Sequence, residues 1–359
     1  QITFEKGRAR PGLFFLAAPY LIPPRLSADK YVNPTTIHLQ GGSVLMQQKD
    51  VVSQLKREGF KFIDLKLKSE GNYNVADADW NYRDLLHLRH VHATDCTILS
   101  AYGDSTTQIL WPKMFGVRLP MQILSFRTAA NKHAAVSIWL CFALTSEDTF
   151  LRISDNWTKV VTHYQIGAPK FLSFALPVIS WLLKRSYKKL MSEDLPMRHR
   201  RGQLRFWGYR FKFDEAGYGF DKGTTLEHDE VIAPDDMHED FPALSLEKTI
   251  EDGQDYMLGK SDHLGLRLNR QQNKVSLYPR LCEHAGASLD EAPCKTGKVR
   301  CPWHGKAFRP YATVDLTAGT QHFTTPYHQV LFENGVLTVK QKETARVVHS
   351  EPPRLEAAA

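Results

Sequence analysis

Long apolar runs are missing from this 359-residue chain. The longest, Phe171 to Leu183, is too short to span a bilayer and is interrupted by Pro177, so no transmembrane segment is expected. Cysteine is scarce and odd in number, with five residues at Cys96, Cys141, Cys282, Cys294 and Cys301. In the absence of a visible secretory leader, that count argues against a disulfide framework and for a reducing, cytoplasmic setting. Internal repeats and low-complexity tracts are absent too, which excludes solenoids and largely disordered chains.

Charge is present in both signs, with a formal net of +7. The dense basic patches are short, Lys184-Arg185-Ser-Tyr-Lys188-Lys189 and Arg198-His-Arg200-Arg201, and no nucleic-acid-binding motif accompanies them. They read as a solvated basic face or, as the functional reading, a docking surface for an acidic electron donor, and nucleic acid is not an expected partner. Hydrophobic residues at 42% and charged residues at 24% describe an ordinary globular protein, and the length exceeds what one core usually serves.

A turn-rich and then acidic stretch, Asp214 to Asp236, reads as a linker and places a domain boundary near residue 225. Before it, Asp77–Val91 and Ala168–Met191 carry helical spacing, while Ala134–Leu144 and Gln203–Phe213 are β-rich. After it come short strand candidates at 255–259, 264–269, 274–277, 330–332 and 336–340, the last two joined by Glu333-Asn-Gly335 as a hairpin turn. The expected organisation is a mixed α+β domain over 1–225, a small all-β domain over 226–345 and a tail over 346–359.

Two segments of the β domain concentrate chemistry. Leu281-Cys282-Glu-His284-Ala-Gly286 gives Cys-x-His, and Arg300-Cys301-Pro-Trp-His304-Gly305 gives Cys-x-x-His. Two thiolates and two imidazoles suit a [2Fe–2S] cluster in which His₂ replaces Cys₂ on one iron. Structural zinc accepts the same residue types but usually takes Cys with Cys and His with His, whereas here each segment offers one of each. The pattern resembles that of the Rieske family, which implies Cys282, His284, Cys301 and His304 as cluster ligands. Cys294, in the spacer, is expected to be an incidental thiol.

In the first domain, Trp80-Asn-Tyr-Arg-Asp84-Leu-Leu-His87-Leu-Arg-His90-Val-His92 stands out. On a continuous helix a five-residue step turns too far for His87 and His92 to face the same way, so convergence requires a helix end or bulge. Asp84 through His92 matches the Asp/Glu-x-x-His-x-x-x-x-His segment of Rieske-type non-heme iron oxygenases. Met191-Ser-Glu193-Asp194-Leu-Pro-Met197 resembles the segment that carries the third, carboxylate ligand in the demethylase-like branch of that family. The resemblance implies a mononuclear Fe(II) held by His87, His92 and Asp194, with Asp84 linking a cluster histidine to an iron histidine. His90 rivals the histidine pair, Glu193 rivals Asp194, and Asp95 is a further carboxylate candidate.

The resemblance further implies a helix-grip (START-like) catalytic domain joined to the Rieske domain, and an oxygenase, monooxygenase rather than dioxygenase, acting with O₂ on a small hydrophobic or aromatic molecule. Neither a dinucleotide fingerprint nor a ferredoxin cysteine array is present, so electrons are expected from a separate ferredoxin or flavin reductase. Relatives commonly form homo-oligomers, often trimers, in which a cluster serves the neighbour's iron. In one respect this chain departs from the pattern: familiar members place the Rieske domain first, and here it comes last. The competing reading is a Rieske electron carrier fused to a non-catalytic domain that binds hydrophobic ligands. Phe171–Leu183 is a candidate pocket lining or an ordinary core helix.

Overall fold

The computed structural model describes residues 48–342, apart from 103–104, 115, 215–228, 235–236, 261–262, 293 and 296. The expected boundary at 225, most of its linker and the tail at 346–359 lie outside the described residues. All described residues belong to one compact unit, 46–359.

The N-terminal part begins with helix α1 (Gln48–Arg57) and strand β1 (Phe60–Gly71). Along β1, Leu65, Leu67 and Ser69 turn inward while Lys66, Lys68 and Glu70 face solvent, the period-two pattern of a sheet with one wet face. Helix α2 (Val75–Arg83) starts at a capping box, in which Asn74 accepts from the Asp77 backbone N–H and the Asp77 carboxylate accepts from that of Asn74. The chain then breaks at Asp84, takes a single turn α3 (His87–His90), and enters a meander. Its strands are β2 (Asp95–Tyr102), β3 (Ser105–Trp111), β4 (Met121–Ala129), β5 (Lys132–Trp139), β6 (Phe142–Ser154) and β7 (Trp157–Pro169).

The sheet order is β1-β7-β6-β5-β4-β3-β2, antiparallel throughout. A 3₁₀ turn (Lys170–Ala175) leads into the 31-residue helix α4 (Leu176–Phe206). The sheet holds this helix: Leu65, Ile166 and Ala168 form one core cluster with Leu176, and Leu172, Ile179 and Leu183 pack against it. Helix α2 closes the other end, where Tyr73, Ala78, Phe150 and Val160 pack with Leu195. This is the helix-grip arrangement expected for the first domain.

The C-terminal part is all β, as expected. One four-stranded sheet contains 255–258, 266–271, 274–279 and 312–315; another contains 244–245, 336–341, 328–333 and 321–324. They share a core that includes Leu266, Leu268, Val275, Leu277, Val330, Phe332 and Leu337. Asn334 and Gly335 both have positive φ, at 52° and 78°, as the Asn-Gly hairpin requires. A third, three-stranded sheet (294–295, 298–300, 307–308) carries the second Cys-His loop.

Three sequence expectations change. The helix expected over Asp77–Val91 is two pieces, because the Asp84 carboxylate accepts the Leu86 backbone N–H at 3.2 Å and forms a local turn that competes with the helix. The helix expected over Ala168–Met191 begins only at Leu176 and continues to Phe206. Gln203–Phe206 is therefore helical, where a β-rich segment was expected, and only Arg210–Phe211 pairs as a strand. Here tertiary contacts override local preference, since Arg205 on this stretch and Arg201 just before it both reach buried Asp77.

Candidate metal centres

The two Cys-His loops face one another. Cys282 and Cys301 are buried, and their sulfur atoms share a hydrogen bond that raises the pKa of Cys282 and lowers that of Cys301 to about 4. Backbone N–H groups of His284 and Ala285 favour the thiolate of Cys282, and those of Trp303 and His304 favour that of Cys301. On the imidazole side, Nδ1 of His284 lies 3.1 Å from Nδ1 of His304. Sulfur therefore meets sulfur and nitrogen meets nitrogen, although each loop contributes one of each. This two-sided set fits a cluster with two thiolates on one iron and two imidazoles on the other.

Gly305, at φ +63°, follows the second histidine, and a Cβ there would lie 2.2 Å from Cε1 of His90. Only glycine allows both the turn and this approach. His90 itself is exposed, stands over the cluster loop and is not among the converging donors. Cys294 is buried in the same small core as Cys282 and Cys301.

Behind His304 stands Asp84. Nε2–H of His304 donates to Oδ2 of Asp84 at 2.6 Å, which turns Nδ1 of His304 toward His284. The same Asp84 oxygen lies 3.5 Å from Nδ1 of His87. Burial opposes ionisation of Asp84, yet the charge and hydrogen bond of His304, with those of His87, hold its carboxyl below the ordinary carboxylate range. Against the same burial penalty, Asp84 and its neighbours raise His304 to about 9.

Beyond His87, three donor atoms converge. Nε2 of His87 is 3.0 Å from Nε2 of His92, and Oδ1 of Asp194 lies 2.9 Å from His92 Nε2 and 3.3 Å from His87 Nε2. All three side chains are buried, and among the described residues they form the set able to grip a metal ion. Nδ1–H of His92 donates to Oε2 of Glu193 at 2.7 Å, so each ring has a carboxylate behind Nδ1 and presents Nε2 forward. That carboxylate–histidine arrangement fits a two-imidazole, one-carboxylate divalent metal site. Burial pushes His87 down, but bonds to Asp194 and Asp84 outweigh it and raise its pKa to about 10; His87 and His92 in turn hold Asp194 low against the same penalty. The pocket favours positive charge.

The break at Asp84 brings the histidines together. Val91 closes α3 with a bond to the His87 carbonyl, and Ala93, at φ 50°, turns the chain so that His92 faces back. Helix α4 supplies the carboxylates 101 and 102 residues later. Asp95 does not join them; it pairs near the surface with Arg118 and Arg89.

Sequence reasoning missed the supports. Arg198 is fully buried, donates from Nε to Oδ1 of Asn81 at 2.8 Å, and lies 3.5 Å from Asp194. Arg201 is also fully buried, bonds Asp229 at 2.7 Å and the Ala285 carbonyl of the first cluster loop at 3.3 Å, and stacks its guanidinium on Trp80 and Phe211. Trp80 in turn meets Trp303 of the second loop at 5.7 Å between ring centres. The second basic patch is thus largely interior, not a solvated face. The Asp194/Arg198 step of four was the available signal.

A groove of about 640 Å³ opens beside the cluster loops, lined in part by Leu85, Leu86, His90, Ile98, His284 and His304. None of Phe171–Leu183 lines it. That segment is split: Leu172, Leu176, Ile179 and Leu183 face the core, whereas Phe171, Phe174, Val178 and Trp181 are exposed.

The Rieske [2Fe–2S] domain family matches residues 244–324, which include both Cys-His loops, and this domain implies a [2Fe–2S] cluster. No curated protein matches the chain. Among solved structures the chain is similar to a START superfamily protein from Mycobacterium smegmatis, at 12% identity and TM-score 0.32 over 39% of this chain and 97% of that one. It is similar also to the Zhui aromatase/cyclase from Streptomyces sp. R1128, at 12% and 0.33 over 40% and 95%. A third is a protein from Thermus thermophilus, at 13% and 0.33 over 37% and 94%. At these scores the likenesses carry no inference about chemistry. No helix among the described residues is long and apolar enough to cross a membrane.

Proposed function

We propose that this protein is the terminal component of a Rieske-type non-heme iron oxygenase, with Asp84 joining its two metal centres inside a single chain. The observation that carries the reading is that buried Asp84 stands between the two sites, 2.6 Å from Nε2 of His304 and 3.5 Å from Nδ1 of His87. An electron carrier fused to an inert ligand-binding domain gives no reason for a buried carboxylate to tie a cluster imidazole to a converging His-His-Asp set. Cys282, Cys301, His284 and His304 would hold the [2Fe–2S] cluster, and His87, His92 and Asp194 a ferrous ion. Bound there, these groups would supply single electrons and O₂ activation for hydroxylation or oxidative demethylation of a small hydrophobic or aromatic molecule.

The chain's own residues do the rest. Glu193 holds Nδ1–H of His92 and Asp84 stands 3.5 Å behind Nδ1 of His87, so Nε2 of each ring faces the site, where a bound ferrous ion would take the place of a proton. Asn81 donates to Oδ1 of Asp194 at 3.5 Å, Arg198 stands 3.5 Å from Oδ2, and the Arg198–Asn81 bond ties the two supports together. Exposed Arg89 and Lys306 line the cluster-side groove, and exposed Arg300 bonds the Gly305 carbonyl of the second loop. These cations suit the acidic surface of a separate ferredoxin or flavin reductase, because complementary charge speeds encounter. Placing the link within one chain also explains how a C-terminal Rieske domain serves this reaction without a neighbouring subunit.

The test is electron paramagnetic resonance of anaerobically purified, dithionite-reduced protein before and after nitric oxide. A Rieske-type signal plus a high-spin ferrous-nitrosyl signal, the latter alone lost in His92→Ala, is expected. A Rieske signal with no nitrosyl species after Fe(II) reconstitution leaves an electron carrier and ends the oxygenase reading.

A further inference from the structure

One face of the molecule pairs exposed aromatics with a basic belt, and nothing in the proposed chemistry uses it. Phe171 is 75% exposed, Phe174 77%, Val178 59% and Trp181 57%. Side chains of this size normally sit inside, and a contiguous exposed group of them marks an interaction surface. Val178, Trp181, Arg185 and Lys188 follow one another at steps of three, four and three, so they form a single stripe along α4, and Phe174 precedes them in the 3₁₀ turn. The stripe is apolar at its start and basic at its end, where Lys184, Arg185, Lys188 and Lys189 are all exposed. Arg185 folds back over the Trp181 ring at 5.9 Å, joining the two zones.

A second apolar projection lies at the same end. The β5–β6 turn exposes Ile138 at 59% and Leu140 at 66%, and its Phe142 packs into the core cluster that holds Leu176 and Leu172. No Asp or Glu occurs between Asp155 and Glu193, so the helical segment itself carries only positive charge, with Lys189 paired to Glu193 at its far end.

We infer that this surface docks onto an anionic lipid bilayer, with the aromatics entering the headgroup–acyl boundary and the lysines meeting the acidic headgroups. A helix with Trp and Phe on one zone and Lys and Arg beside it has the composition of an interfacial anchor. A second copy fits less well, because a two-fold interface sets the patch against itself and opposes like charges. Residues 1–47 fit less well too, since they hold five Lys and Arg against two Asp and Glu.

Full-length protein is sedimented with vesicles of phosphatidylcholine alone or mixed with phosphatidylserine, at low and high salt. Binding to the mixed vesicles is expected to be at least about tenfold stronger than to the neutral ones, and to weaken with salt. The double variants Phe174→Ser/Trp181→Ser and Lys184→Glu/Lys188→Glu should each lose it by about tenfold or more. All four substituted residues are exposed, so circular dichroism and the visible spectrum of the Rieske domain should stay unchanged in both variants. Failure of the wild type to bind the mixed vesicles overturns the proposal. So does binding that survives both variants, which places it elsewhere on the chain, or a wild-type dimer that these variants dissociate, which assigns the face to a second copy.

Discussion

The cluster loops and the His-His-Asp set touch through one carboxylate, yet they are assembled in opposite ways. The cluster donors come from two loops of one β module, with His284 and His304 only 20 residues apart. Short-range pairing closes each loop, Leu281 with Ser288 around the first and Val299 with Phe308 around the second, and glycine at 305 shapes the second. The second set joins a broken helix to a distant one, with His92 and Asp194 separated by 102 residues. No local pairing enforces that meeting; it depends on α4 lying correctly between the sheet and α2, and on buried Arg198 and Arg201 fastening it. A locally built site tolerates changes in the rest of the fold, whereas a non-locally built one shares the stability of everything that positions it.

The sharpest break of this comparison is Cys301→Ala. Loss of one sulfur donor should abolish the visible absorbance and the Rieske resonance, while the ferrous-nitrosyl signal persists. If both disappear together, the two sites are one folding unit and the contrast fails. Next is Arg201→Met, which leaves Asp77 and Asp229 as buried carboxylates without this partner; the expected cost is about 3–5 kcal/mol in chemical denaturation. Iron affinity at the His-His-Asp set should fall before the cluster spectrum does. Asp84→Asn should keep both resonances and lower turnover by about 10–100-fold, because it removes the carboxylate that orients His304 and His87. Unchanged turnover would mean that the link is only structural. The smallest effect belongs to Gly335→Ala, in the hairpin turn far from both donor sets, where the positive φ costs alanine about 1 kcal/mol and both spectra should stay as they are.

The same contrast governs what could be read from the residues alone. Cys282, His284, Cys301 and His304 were legible because their spacing and their short loops carry the chemistry directly. The Asn334-Gly335 hairpin and the strands around it were legible for a similar reason, since turn chemistry is local. His87 and His92 were visible as a spacing, but the Asp84 turn that makes them converge comes from a side chain competing with the helix backbone. Arg198 and Arg201 looked like a surface patch because nothing within a few residues tells a buried arginine from a wet one. The carboxylate partners of Arg201, Asp77 and Asp229, come from other segments of the chain. The stretch from Gln203 failed for the same reason: its aromatic and branched residues favour strand, and contacts to α2 hold it as helix.

That His304 and His87 lean on one carboxylate of their own chain has a genetic consequence. Where paired sites come from neighbouring subunits, two different defective copies can rescue one another in a mixed assembly. On the proposed within-chain pairing, a chain lacking Cys301 and a chain lacking Asp194, mixed in any ratio, contain no complete pair. Each defect acts only in cis, so the two alleles together should behave no better than either alone.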